Sequence, residues 1–98
     1  MGDLLDQEEL QVATAVVMGD VLCEMDRARE MWSFEDDAEA SLEVWVTGLS
    51  IYLGKLAYGK GIDEHEENLK KLAVVAIAAL TVIHLNGKFK TRREDLPV

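Results

Sequence analysis

The sequence predicts an all-α protein: three main helices forming an antiparallel bundle that oligomerisation completes. Three observations predict it. Apolar residues recur at helical spacing in long stretches, and a single proline (Pro97) with seven glycines leaves few of the turn clusters that short strands need. The stretch Leu72 to Ile83, LAVVAIAALTVI, is apolar all round, and a helix without a polar face has to be surrounded. Finally, a chain of 98 residues buries only roughly 60–65% of its unfolded surface, so one copy alone makes a modest core.

The first helix is predicted over 7–31. Asp6 followed by Glu9 is a capping-box pattern, and Leu10, Ala13, Val17, Val21, Met25, Ala28 and Trp32 then follow helical spacing. Ser33 to Asp37 breaks that pattern, and Asp36 with Glu39 offers a second cap, so the second helix is predicted over 37–58. Its apolar stripe is Leu42, Trp45, Val46, Leu49, Tyr52, Leu53 and Leu56, interrupted by Gly54, a residue that permits close helix approach. Gly59-Lys60-Gly61 supplies the positive-φ positions expected to end it.

Asp63 with Glu66 starts the third helix, predicted over 63–85 and stopped by Asn86-Gly87. Residues 1–87 then form one helical domain, and 88–98 a flexible polar tail. The expected oligomer interface is Leu72, Val75, Ala76, Ala79, Leu80 and Ile83, in a homodimer or homotetramer built around this helix.

Charge and cysteine usage bound the function. A formal charge of −9 argues against direct nucleic-acid binding, which needs a surplus of Lys and Arg on one face. It is compatible with an acidic inhibitor that mimics a nucleic acid. Cys23 is alone, so an internal disulfide or a thiolate zinc site is excluded. The N-terminal acids Asp3, Asp6, Glu8 and Glu9 do not read as a signal peptide, and the twelve-residue apolar run falls short of the ~20 residues needed to span a bilayer. A cytoplasmic protein without membrane partners is the expectation.

Several segments, taken in order, resemble the MazG-like all-α nucleoside triphosphate pyrophosphohydrolases, over about residues 20–85. Glu24-Met25-Asp26-Arg27 followed by Trp32 resembles the family's Glu-Arg-x-Arg run ending in Trp-Gly, and the acidic loop Glu35-Asp36-Asp37 precedes Trp45 as a His-Pro-Asp-type loop does there. Trp45 to Ala57 resembles W-x-x-x-L-x-E-E-x-G-E-x-A, and Leu69 to Ala78 resembles L-x-[QD]-V-A-A-V-A-x-A. The resemblance implies a short phage-type member acting in the host-cell cytoplasm.

Where the family's carboxylates would hold Mg²⁺, this chain has Ile51, Tyr52 and Lys55, with Asn68 and Lys71 on the facing helix. An ammonium supplies no oxygen ligand and repels the ion, so the family mechanism should not operate. The leading expectation is a non-catalytic MazG-like protein that binds a host protein or a nucleotide and needs no cofactor. The alternative is an active Mg-dependent pyrophosphohydrolase using displaced carboxylates such as Glu39, Glu43, Glu66 and Glu67.

Two candidate sites follow. Lys55, Lys70 and Lys71, with Tyr52 and Trp32, offer positive charge and stacking faces for a nucleotide. The plainer reading pairs those lysines with Glu66 and Glu67 and makes Trp32 and Trp45 core anchors. Antiparallel packing would gather Glu24, Glu39, Glu43 and His84 at one end of the bundle as metal ligands. His84 is equally a terminal residue complementing the helix dipole. No glycine-rich phosphate loop, Ser-His-Asp arrangement or zinc spacing is present, and Cys23 among acidic neighbours is a poor nucleophile.

Overall fold

A computed structural model describes residues 6–90, and the N-terminal acid Asp3 and most of the predicted tail (residues 91–98) lie outside the described residues. The described residues form four helices: α1 (Gln7–Met31), α2 (Phe34–Glu39), α3 (Leu42–Tyr58) and α4 (Ile62–Asn86). The all-α class is as expected. Helix α1 has the predicted bounds, and the Asp6 carboxylate caps it by accepting from the Glu9 N–H at 2.8 Å.

The second predicted helix is instead two. Ser33, not Asp36, is the N-cap, and it forms a full capping box: its hydroxyl accepts from the Asp36 N–H while the Asp36 carboxylate accepts from the Ser33 N–H. The resulting six-residue helix ends at Ala40, and α3 starts after the buried Ser41. The extended backbone at Ala40 and Ser41 lets the chain turn between α2 and α3.

The turn from α3 to α4 also differs from expectation. Gly59 has φ −68° and Gly61 φ −145°, so neither occupies the left-handed region. Gly59 sits in a tight space instead: a Cβ there would lie 3.2 Å from both His65 Nδ1 and the Lys55 carbonyl oxygen, close enough that those neighbours would have to shift. Asp63 does not cap α4. Gly61 is the N-cap, and the Glu64 carboxylate closes the turn by accepting from the Lys60 N–H at 2.8 Å. At the far end Gly87 adopts φ 79°, the left-handed C-cap that Asn86-Gly87 predicts.

Helix α4 is the spine. By length and composition it is the one described helix able to cross a membrane, yet its middle packs against α1, α2 and α3 of its own chain. The core is Trp45, Ala78, Ala79 and the fully buried Val82, with Met25, Phe34, Ala40, Val75 and Phe89 against it. One copy buries only Ala78, Ala79 and Val82 of α4 and leaves Leu69, Leu80, Ile83 and Leu85 exposed. Within the expected oligomer interface, Ala79 is buried by the chain itself and Val75 packs on the same core, whereas Leu80 and Ile83 stay exposed.

The start of the predicted tail is docked. Phe89 lies 6.1 Å, ring centre to ring centre, from Trp45, and Lys90 forms a bridge to Ser41 and an ion pair with Glu39 at 2.6 Å. Packing is uneven along the molecule. Every residue of α1 from Gln7 to Asp20 is exposed, and the radius of gyration is 16.8 Å against about 13 Å for a compact chain of this length.

Candidate functional site

A concavity of about 620 Å³ lies between the C-terminal half of α1, the short α2, the first turns of α3 and the middle of α4. Its wall is apolar: Met25 and Ala28 from α1, Val44, Trp45 and Gly48 from α3, and Val74, Val75 and Ala78 from α4. Gly48 forms part of this wall, where an added Cβ would make ordinary van der Waals contact, 3.8 Å from Val75. The capping box at Ser33 turns the chain after α1, so that Asp36 and Asp37 reach the rim beside Trp32.

Charges of both signs edge this groove. Arg29 donates to the Asp37 carboxylate, and Arg27 donates to Glu24 at 2.6 Å one turn earlier on α1. Lys71 also lines the groove and pairs along its own helix with Glu67 at 3.8 Å. The exposed Lys71–Glu67 pair contributes only about 0.2–1 kcal/mol, so an incoming anion could exchange for Glu67 at little cost, whereas the Arg29–Asp37 pair is part-buried. The indole N–H of Trp45, a lining residue, is buried with no acceptor among the described residues. A buried donor left unpaired costs roughly 1–3 kcal/mol, which an acceptor supplied from outside the chain would recover.

The nucleotide candidates divide. Trp32, Tyr52 and Lys71 all line the groove. Lys70 does not; it is tied to Glu66 at 3.4 Å, as the plainer reading held. Lys55 sits over the face of Tyr52, 5.4 Å from the ring centre, a cation–π contact that puts its charge beside the groove's edge. Ile51 is exposed.

The metal candidates are not brought together. Among the described residues no three His, Cys, Asp or Glu side chains could jointly hold a metal ion. Glu24 is engaged by Arg27 on the groove rim, whereas Glu39 is engaged by Lys90, neither of which lines the groove. The break at Ala40 and Ser41 puts Glu39 and Glu43 on separate elements, α2 and α3, where one continuous second helix had been expected. Of the rim residues, Arg29 has no place in the sequence reading, and Arg27, Asp36 and Asp37 enter it only as parts of the resemblance segments or as a helix cap. The available signal was the Ser33–Asp36 box, which fixes where the acidic loop points.

Comparison with known protein families, curated proteins and solved structures gives no match. The MazG-like resemblance therefore rests on the sequence segments that suggested it.

Proposed function

We propose that this is a non-catalytic helical binding protein of MazG-like type, whose groove takes a nucleotide or a similar planar anion without a metal ion. The observation that carries the reading is the 620 Å³ apolar groove, bordered by two aromatic faces, Trp32 and Tyr52, and by Lys71, Arg27 and Arg29. An aromatic base would occupy the apolar wall, and phosphate oxygens would exchange with Glu67 for Lys71. Replacement of the three carboxylate positions by Ile51, Tyr52 and Lys55 supports binding rather than hydrolysis.

Titration of the intrinsic tryptophan emission with ATP or a dNTP tests this, because Trp32 and Trp45 both line the groove. Binding is expected in EDTA and should be little changed by Mg²⁺, and Lys71→Ala should weaken it about ten-fold, or about 1.4 kcal/mol. Mg²⁺-dependent release of pyrophosphate would instead support an enzyme working through displaced carboxylates. Absence of binding in both conditions would overturn the nucleotide reading. A protein target is the second reading, favoured by Met31 and Trp32, which stand exposed at the mouth of the groove.

A further inference from the structure

Among the described residues, six charged side chains line the groove, and their charges cancel: Arg27, Arg29 and Lys71 against Glu24, Asp36 and Asp37. A groove without net charge, in a chain whose formal charge is −9, has no field that draws in a highly charged anion. What it can hold depends on which cation is able to leave its present partner.

The two arginines are not. Arg27 donates to Glu24 and Arg29 to Asp37, and both carboxylates belong to the groove itself, with only 19% and 15% of their side chains exposed. A phosphate that took either guanidinium would leave a mostly covered carboxylate without its cation and facing a new anion. Salt screens such covered charges far less than exposed ones. Asp36 adds a third negative charge, held in place by the capping box because its carboxylate accepts from the Ser33 N–H.

Lys71 differs on each count. Its partner Glu67 stands outside the groove, half exposed, and the pair is loose at 3.8 Å. Once released, Glu67 is left in water rather than in the groove. Lys55 is held over the Tyr52 ring and does not line the groove. Among the lining cations Lys71 is thus the exchangeable one, in a groove that is otherwise apolar and aromatic.

We infer that, among nucleotides, the groove selects those carrying a single phosphate group, the class of a nucleoside monophosphate, and discriminates against triphosphates. This rests on the nucleotide reading of the groove and narrows it. The ring lies on the apolar wall, and its one phosphate takes Lys71 from Glu67. Each further phosphoryl group brings negative charge into a rim that holds Glu24, Asp36 and Asp37, with no exchangeable lining cation left to meet it. Juxtaposed like charges are how a site rejects the wrong member of a ligand series.

The test is calorimetry in EDTA with adenosine, AMP and ATP as probes. AMP should bind about ten-fold tighter than adenosine and about ten-fold tighter than ATP. Lys71→Ala should bring AMP down to the adenosine level and leave adenosine itself unchanged, a split that a damaged fold would not give. Asp36→Asn keeps an oxygen to accept from the Ser33 N–H while removing the charge, so it should raise ATP affinity about three-fold and leave adenosine unchanged. ATP binding as tightly as AMP, or Lys71→Ala weakening adenosine as much as AMP, would overturn the inference while the nucleotide reading stands. Binding of none of the three probes would overturn both.

Discussion

The two halves of α1 carry the same kind of side chain and meet opposite fates. Val21 is buried, Met25 packs against the core and Ala28 is half-buried, whereas Leu10, Val12, Val16 and Val17, equally apolar, are more than half exposed. The difference is not one of local propensity, since a single unbroken helix with one cap at Asp6 and another at Trp32 contains both halves. What differs is whether another element lies alongside. Burial is decided by tertiary neighbours, so a uniform apolar helix marks surface to be covered without saying by what.

The largest expected effect falls in the packed half. Trp45 joins α3, α4 and the returning Phe89, and it is only 7% exposed. Trp45→Ala should therefore cost about 3–5 kcal/mol, a large part of the stability of a domain this size, and should be read as a lowered urea midpoint by far-UV circular dichroism. A loss below about 1 kcal/mol would mean that the cluster around Val82 is not the stabilising centre. That result would erase the distinction between the two halves of α1.

An intermediate effect is expected at the joint between the packed half and the groove. Ser33→Ala removes one side of the capping box that sets the direction of α2, at a cost of about 1 kcal/mol. The same change should weaken any ligand held by the rim, because Asp36 and Asp37 are aimed by this turn. Thermal unfolding and the nucleotide titration together check it. A loss of stability with unaltered binding would show that the α2 rim plays no part in the groove.

Much of this architecture was legible in the sequence, and the omissions share a cause. Helices α1 and α4 run 25 residues each, long enough for the 3.6-residue period to declare itself and for Asp6 and Gly87 to mark their ends. Helix α2 has six residues, less than two turns, and Asp36-Glu39 imitates a cap so well that the true cap at Ser33 is hidden. The groove draws on residues from 24 to 78, and no spacing rule relates Arg29 to Lys71 or Gly48 to Val75. Phe89, a lone aromatic among basic and polar residues, was the available sign that the tail begins by returning to the core.

The smallest effect is expected where that return is fastened. Lys90 pairs with Glu39 at 2.6 Å, but both side chains are more than half exposed, 54% and 69%. Water screens such a pair and two long side chains lose freedom to make it, so Lys90→Ala should cost no more than about 0.5 kcal/mol. The docking of Phe89 on Trp45 should survive, since burying an aromatic ring outweighs a solvated ion pair. Two measurements separate these contributions. The stability difference between Lys90→Ala and wild type should vanish in 1 M NaCl, where the Debye length falls to about 3 Å, while the Trp45 emission maximum should remain at its wild-type position. A red shift of that emission on Lys90→Ala would show that the ion pair, not the ring, holds the chain against the core, and would place the end of the packed half at Gly87 instead of Lys90.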